Sequence, residues 1–433
     1  MIRQGNIIKS QFFYITCFML LGVSQMACAQ NFITVNDGTF IKGGKPYHYV
    51  GTNFWYGMNL GAADKPRLIN ELDRLNKIGI KNLRIMAGSE GAYDAPWCIQ
   101  PAVQTAPGQY NESLLQGLDF LLAEMQKRGM EAVVCLNNFW PWSGGFAQYV
   151  SWANDNEAIP YPMIKGGDWK AYQDYATRFY NTPRAVQWYN DYLEHVINRT
   201  NTITQLPYKN DTTIMAWQLA NEPRGGTAIE YYRSWLHETA KYIKGLDSNH
   251  LVSIGSEGNT PSTENGNDFE KDHDSQYIDY CTFHLWPQNW GWYDPAQGEN
   301  MLAYAMGQSE SYINDHIAIA VKLNKPLVLE EFGLSRDGNS HDPKTTVKVR
   351  DRYYSYVFTK LLSSVRKTKQ VAGVNFWAWA GEGRPRESKT IWKPGDDFIG
   401  DPPHEPQGWY SVYDKDKSTI KIIKQFASAM AAY

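Results

Sequence analysis

Two glutamates stand where short apolar segments end, Glu222 after one segment and Glu331 at the end of another. A charged group at the end of a buried strand lowers stability unless a partner or a task keeps it there. Two carboxylates across one cleft suit the hydrolysis of a glycosidic bond. One carboxyl group protonates the leaving oxygen, and the other attacks the anomeric carbon. The alternative is that each glutamate is paired at the rim of the fold, with Arg84 or Arg224.

The composition supports a ligand with flat apolar faces and polar edges, such as a sugar. The chain of 433 residues contains 16 Trp and 28 Tyr, and aromatic rings serve both core packing and ligand stacking. Its formal net charge is only −3. This balance argues against nucleic acid as a partner, because nucleic-acid binders need a basic surface.

The elements that must position these residues follow a βα alternation. Eight units of this kind predict an α/β fold, a (β/α)8 TIM barrel, whose active site lies at the carboxyl ends of the strands. We expect strands at 47–53, 82–86, 132–136, 214–219, 251–255, 280–284, 326–331 and 373–377. We expect helices at 66–75, 111–128, 169–196, 230–243, 312–323, 347–364 and 420–431. A doubly wound sheet is the competing architecture, but no Gly-rich phosphate loop follows the first strand.

Two turn signals, Asp37-Gly38 and Gly43-Gly44, predict a small N-terminal β-hairpin before the barrel. No linker or repeat divides 30–433, so we expect a single (β/α)8 catalytic domain there. The acidic cluster Asp272-His273-Asp274 could bind calcium, although a solvated loop is the favoured interpretation.

Residues 1–29 have the pattern of a secretory signal peptide. Arg3 and Lys9 precede an apolar run at 12–23, which is followed by Ala27-Cys28-Ala29. The run is too short to span a membrane, which takes about 20 apolar residues. We therefore expect a secreted or periplasmic protein. A lipoprotein acylated at Cys28 is the less favoured alternative.

Two segments resemble the signatures of glycoside hydrolase family 5, especially its endo-β-1,4-mannanase branch. They are Trp217-Gln218-Leu219-Ala220-Asn221-Glu222-Pro223-Arg224 and Leu329-Glu330-Glu331-Phe332-Gly333. Supporting segments are 51–57, 137–145, Phe283-His284-Leu285-Trp286-Pro287 and Phe376-Trp377-Ala378-Trp379. The likeness extends over nearly the whole mature chain. It implies a retaining (β/α)8 enzyme without a metal or organic cofactor.

The resemblance also implies roles for individual residues. Glu222 would be the acid/base and Glu331 the nucleophile. Glu330 would face away from the site, since neighbouring strand residues point in opposite directions. The other implied contacts are Arg84 beside the nucleophile, Asn221 on the sugar 2-hydroxyl, His284 holding the carboxylates, Trp377 under the sugar, and Arg224, Glu257 and Trp290 at neighbouring subsites.

One position departs from the family pattern. Trp286 stands where the family usually has a Tyr whose hydroxyl touches the nucleophile, and an indole can donate but not accept a hydrogen bond. We expect Trp286 at the substrate site without that role. We also expect a low pKa for Glu331 beside Arg84 and a high pKa for Glu222.

The sequence thus predicts a monomeric endo-acting mannan endo-1,4-β-mannosidase that cuts mannan, glucomannan or galactomannan. A β-1,4-glucanase or an exo-acting β-mannosidase would use the same chemistry. A polysaccharide-binding protein without turnover is the alternative from another functional class.

Overall fold

The protein is described by a computed structural model that covers residues 32–91 and 97–433. The predicted signal peptide lies outside the described residues and stays a prediction. None of the helices in the described ranges is long and apolar enough to cross a membrane.

The strands and helices alternate along most of the chain. The strands are β1 (Thr34–Asn36), β2 (Thr39–Lys42), β3 (Lys45–Pro46), β4 (Tyr49–Asn53), β5 (Asn82–Met86), β6 (Gln104–Ala106), β7 (Gln109–Tyr110), β8 (Glu131–Cys135), β9 (Ile214–Gln218), β10 (Leu251–Ser253), β11 (Cys281–Leu285), β12 (Leu327–Phe332), β13 (Val371–Phe376), β14 (Trp379–Gly381) and β15 (Val412–Tyr413). The helices are α1 (Gly57–Ala63), α2 (Lys65–Lys77), α3 (Glu112–Lys127), α4 (Gly145–Ala153), α5 (Trp169–Thr177), α6 (Pro183–Ile197), α7 (Ile229–Leu246), α8 (Phe269–His273), α9 (Glu299–Leu323), α10 (Lys348–Val365) and α11 (Lys417–Met430).

Eight of the strands form one parallel sheet in the order β10-β9-β8-β5-β4-β13-β12-β11. The two edge strands also approach each other, because Asp279 N donates to Val252 O at 2.8 Å and His284 N donates to Glu257 O at 3.1 Å. The sheet is therefore nearly closed into a barrel. Its strands are buried throughout, as expected for parallel strands covered by helices. The predicted barrel and its eight strands are confirmed.

The N-terminal segment adds a third strand to the predicted hairpin. Strands β1, β2 and β3 form an antiparallel sheet. Phe40 of β2 packs edge-on against Tyr280, with 5.1 Å between ring centroids. Both rings belong to an apolar cluster that joins the N-terminal segment to residues in the first halves of the barrel strands. The small sheet thus covers the end of the barrel opposite to the carboxyl ends of the strands.

Each predicted helix lies where it was expected, but two of them differ in length from the prediction. The single helix expected at 169–196 is two helices, α5 and α6, because Pro183 starts a new helix at a position where its missing N–H costs nothing. The helix expected at 312–323 begins earlier, at Glu299.

The Asp272-His273-Asp274 cluster is not the solvated loop that we expected. Asp272 is buried in helix α8, where it accepts hydrogen bonds from Asp268 N and Arg233. His273 is also fully buried. Within the described ranges, neither residue belongs to a group with the geometry of a metal site.

Candidate active site

Glu222 and Glu331 meet at the carboxyl end of the barrel. Glu331 lies in β12, and Glu222 follows β9 with a backbone φ of 49°. A non-glycine residue in this left-handed region carries local strain, which is typical of functional sites. One oxygen of each carboxylate lies within 4.8 Å of the other and of a ring nitrogen of His284. Both glutamates are buried, so the two carboxylates face each other across a desolvated space.

Arg84 of β5 organises the base of this site. Its guanidinium donates to Glu331 Oε1 and, at 2.8 Å, to Asn221 Oδ1. It also donates to Gln218 Oε1 at 2.7 Å and to Asn53 Oδ1 at 3.1 Å. One buried cation thereby fixes four side chains at the ends of three other strands, and a charged donor strengthens each bond.

Glu331 lines the cleft and Glu330 does not, but the expected reason, that neighbouring strand residues point in opposite directions, does not hold. The pairing of β11 with β12 shifts register, so that Phe283 pairs with Leu329 and His284 with Glu331. A β-bulge of this kind re-aims the extra residue, and Glu330 turns toward the barrel interior. Its carboxylate accepts two bonds from Gln218 Nε2, at 2.7 and 2.9 Å. Glu330 therefore lies below the reacting pair and helps to hold Gln218.

The pKa order of the pair is also the reverse of the expected one. Burial raises the pKa of Glu222, but the charge and hydrogen bond of His284 outweigh it and lower this pKa to about 2. Burial raises the pKa of Glu331 to about 7, against the lowering effects of His284 and Arg84. The order is reversed because Nδ1 of His284 lies 2.5 Å from Glu222 but 3.4 Å from Glu331. Burial lowers the pKa of His284 itself, but the charges of both glutamates raise it above its ordinary value.

Asn138 links the pair to the segment that follows β8. Its side chain accepts a hydrogen bond from Asn221 Nδ2 at 3.1 Å and another from Trp140 N at 3.1 Å. The indole of Trp140 in turn donates to Glu222 Oε2. Both Asn221 and Glu222 are thus held from the same loop.

These residues form the floor of a cleft of about 520 Å³. Six of the predicted binding residues line it: Asn221, Arg224, Glu257, Trp286, Trp290 and Trp377. Arg84 and His284 lie behind the carboxylates. The volume is in the range of sites that take small organic ligands, and several flat rings face the interior.

Arg224 and Glu257 form a buried pair at one wall of the cleft. The guanidinium donates to both carboxylate oxygens, at 2.6 and 2.9 Å. It also lies over the ring of Trp140, 4.7 Å from the centroid. The two charges satisfy each other, and the guanidinium keeps an indole in place as a stacking surface.

Trp286 lines the cleft as a packing residue. Its ring contacts Trp377 at 6.0 Å and Tyr410 at 5.0 Å between centroids. The hydrogen bonds of the described residues include none from Trp286 to Glu331. The role of the family's Tyr hydroxyl is therefore not taken over by this indole.

Sequence reasoning missed the cleft residues supplied by loops and by the start of α5. They are Trp169, Gln173, Asn289, Pro402, His404, Glu405, Pro406, Trp409 and Tyr410. Among them, Glu405 has a buried Oε2 without a hydrogen-bond partner in the described part of the chain. Burial raises its pKa well above the ordinary value, and the nearby charges of Asp401, Glu331 and Glu222 add to the effect. The aromatic and Pro-rich composition of 402–410 was the available signal.

The same loops narrow one side of the cleft. His404, in the segment after β14, lies 6.1 Å from Trp169 of α5 between ring centroids. Trp169 in turn contacts Trp140 at 5.6 Å. The two segments enter from different strands of the barrel, so their contact narrows the cleft on that side.

Glu222, His284 and Glu331 are the only three residues in the described ranges whose ligand atoms are grouped closely enough for a metal ion. The positive charges around these three residues disfavour a bound metal ion. Arg84 already binds Glu331, and the imidazole is engaged with Glu222. A cation placed between the glutamates would be repelled by the guanidinium.

Comparison with known proteins agrees with this geometry. Residues 30–433 match the family described as GH family 5 β-mannosidase-like. The chain belongs to this family. It is therefore a glycoside hydrolase, as the two signature segments predicted.

Relatives of this family 5 protein have names that refer to mannose. Mannan endo-1,4-β-mannosidase 5 of Solanum lycopersicum is 32% identical, over 82% of this chain and 82% of the relative. A family 5 mannosidase from Rhizomucor miehei is 39% identical and superposes with a TM-score of 0.86 over 93% of this chain and 98% of that chain. A variant of the Rhizomucor protein has been solved in complex with mannosyl-fructose. An endo-β-1,4-mannanase from Thermotoga petrophila is 26% identical, covering 90% of this chain and 78% of that chain, with a TM-score of 0.67.

Proposed function

We propose that this family 5 protein hydrolyses β-1,4-mannosidic bonds with retention of configuration. The observation that carries the proposal is the separation of Glu222 and Glu331, whose oxygens lie within 4.8 Å at the floor of an aromatic cleft. Retaining glycosidases hold their carboxyl groups about 5–5.5 Å apart, whereas inverting enzymes leave about 6.5–9.5 Å for a water molecule.

In the first step, ionised Glu331 attacks C1 of the sugar while Glu222 transfers a proton to the departing oxygen. The C1–O bond breaks, and a covalent glycosyl ester of Glu331 forms. In the second step, Glu222 takes a proton from water, and the resulting hydroxide attacks C1 and releases Glu331 as a carboxylate. Asn221 holds the sugar 2-hydroxyl, and Trp377 packs beneath the ring.

His284 and Glu222 hold one proton between them. Moving the proton over the 2.5 Å from Nδ1 to Oε1 yields a neutral imidazole and a protonated Glu222, without any change in total charge. This transfer reconciles a low pKa of Glu222 in the free site with its task as an acid. After Glu331 becomes an ester, a nearby negative charge is lost, which favours the ionised form of Glu222 and therefore its role as base.

A mannose-containing substrate is supported by the names of the relatives and by the polar edges of the cleft. The unpaired oxygen of Glu405 offers a hydrogen-bonding partner for sugar hydroxyls. Trp140, Trp286 and Trp290 offer rings for the apolar faces of the sugars. We propose internal cleavage of linear mannan, glucomannan or galactomannan; the relative from Solanum lycopersicum is named a mannan endo-1,4-β-mannosidase.

Cleavage at chain ends is the second candidate. The observation that favours it is the contact between Trp169 and His404, which narrows one side of the cleft. An internal cut requires the polysaccharide to leave the cleft in both directions, whereas a closed side admits only a chain end.

The test is chromatography of the products from linear mannan, glucomannan and a soluble cellulose derivative. A ladder of oligosaccharides from both mannans would support internal cleavage, whereas release of mannose alone would support attack at the chain end. Products mainly from the cellulose derivative would indicate a glucanase and contradict the substrate. Proton NMR of the first product should show the β-anomer, and an initial α-anomer would contradict retention.

A further inference from the structure

Glu90 is a buried carboxyl group that the mechanism above does not use. It lies four residues beyond β5 and is 1% exposed. Gly145 N donates to its Oε2 at 2.9 Å. Its backbone N donates to Ser143 O at 2.8 Å. The residue thus holds the turn 141–145 by its side chain and by its main chain.

The turn is built tightly onto this residue. Gly144 has a φ of 82°, and a Cβ placed there would lie 1.9 Å from Glu90 O. Gly145 has a φ of 60°, and its Cβ would lie 2.0 Å from Asn138 O. Only glycine fits either position. The turn is therefore wedged between Glu90 and Asn138, and a shift of one is transmitted to the other.

The same turn leads to the reacting carboxyl groups. Asn138 Nδ2 donates to Ser143 Oγ at 3.0 Å. Asn138 also accepts from Asn221 and from Trp140 N, and the Trp140 indole donates to Glu222. A series of hydrogen bonds through Ser143, Asn138 and Trp140 therefore joins Glu90 to the side chains of Asn221 and Glu222.

We propose that Glu90 is a positioning residue for this site, which anchors the turn 141–145 and through Asn138 and Trp140 orients Asn221 and Glu222. The inference rests on the proposed function, since it assigns Glu90 a part in the same reaction. Glu90 does not touch the cleft, so its effect reaches substrate only through these two side chains.

The surroundings of Glu90 make this anchor sensitive to pH. Burial raises its pKa to about 8, although Gly145 N–H and Tyr149 act in the opposite direction. The titratable groups that sense its charge are Cys98, Tyr149 of α4, Tyr172 of α5, and Tyr189 and Tyr192 of α6. None of them is a cation. Ionisation above pH 8 therefore places a negative charge under the turn that no neighbouring cation among the described residues compensates and that only the Gly145 N–H and Tyr149 stabilise.

The first test compares Glu90→Ala and Glu90→Gln in the full chain. Glu90→Ala should lower kcat about 10- to 100-fold with a smaller change in KM, as small misplacements of reacting groups do. Glu90→Gln keeps the acceptor for Gly145 N–H and should restore kcat to within about 3-fold of the parent. Because glutamine does not ionise, the ratio of kcat/KM for Glu90→Gln over the parent should change as pH increases through 8.

Glu131→Gln is the matched control. Glu131 is also a buried glutamate, but it lies at the opposite end of the barrel. The ratio of kcat/KM for Glu131→Gln over the parent should be independent of pH. An unchanged kcat in a folded Glu90→Ala protein, or a flat ratio for Glu90→Gln between pH 7 and 9.5, would overturn the proposal.

A second measurement does not depend on turnover. The indole N–H resonance of Trp140, assigned by its disappearance in Trp140→Phe, reports on the bond to Glu222. It should shift in Glu90→Ala and keep the parental position in Glu90→Gln at pH 7. If the protein hydrolyses no mannan, the proposed function fails while this resonance still tests the role of Glu90. A resonance that stays in place in Glu90→Ala would contradict the positioning role.

Discussion

At the N-terminal end of the barrel, Glu131 accepts bonds from Lys42 and Tyr47 beneath the small antiparallel sheet. At the carboxyl end, Glu222 and Glu331 are also buried and paired, but both carboxylates line a cleft. At the N-terminal end, Glu131 is paired with neighbouring side chains next to an apolar cluster. The carboxyl end keeps two carboxylates opposed across open space and balances them with Arg84 and His284. The same strands thus serve stability at one end and chemistry at the other, as is general for this fold.

The largest effect should come from removing either carboxylate at the cleft. We expect Glu331→Ala and Glu222→Ala each to lower kcat on mannan by about 10⁴-fold or more, because the two groups act as a unit. Thermal unfolding should show that both variants remain folded. If the protein only binds polysaccharide, the parent itself will show no hydrolysis of mannan, and the two variants will not differ from it.

Azide separates the two roles on a substrate with a good leaving group. In Glu222→Ala, azide attacks the covalent intermediate and should yield the β-glycosyl azide. In Glu331→Ala, azide replaces the nucleophile and should yield the α-glycosyl azide. NMR of the azide products checks both outcomes, and reversed anomers would exchange the roles of Glu222 and Glu331.

The identity of this pair could be predicted from the sequence because the carboxyl ends of parallel strands converge on one side of a barrel. Asn221-Glu222-Pro223 and Glu331-Phe332-Gly333 needed only the positions of their strands to be placed together. Arg84, His284 and Trp377 followed from the same rule.

Other features depend on contacts that no local pattern encodes. The inward turn of Glu330 needs a bulge that exists only in the pairing of β11 with β12. The pKa order depends on which glutamate the His284 ring approaches. Trp169 and Glu405 reach the cleft from segments whose paths are set by packing against other loops. The sequence therefore predicts residues at strand ends better than residues on loops.

An intermediate effect should follow from removing the charge of His284. In His284→Asn, Glu331 loses a cation that lowers its pKa, so this pKa should rise further above 7. Since Glu331 must be ionised to attack, activity should require a higher pH, and the acid limb of the kcat/KM profile should move to higher pH. We also expect kcat at the optimum to fall about 100-fold, because proton transfer to Glu222 is lost.

His250→Asn is the control from the other end of the barrel. His250 is buried, with Nδ1 at 2.5 Å from Asp247 Oδ2 and Nε2 at 2.9 Å from Asp211 O. Its replacement should lower thermal stability and leave the position of the acid limb unchanged. An acid limb that stays in place, or moves to lower pH, in His284→Asn would show that His284 does not set the ionisation of Glu331.

The smallest effect on activity should come from Glu131→Ala at the covered end. The change removes the acceptor of Tyr47 O–H, a bond of 2.9 Å, and the partner of Lys42. The Tyr47 hydroxyl is left without this acceptor, whereas the Lys42 ammonium can be solvated by water because that side chain is 39% exposed. We expect a loss of about 1–3 kcal/mol in the free energy of unfolding, measured by urea denaturation, with kcat and KM on mannan unchanged. A kcat that falls together with stability would mean that the two ends are coupled through the strands, and the division between a stabilising end and a reacting end would not hold.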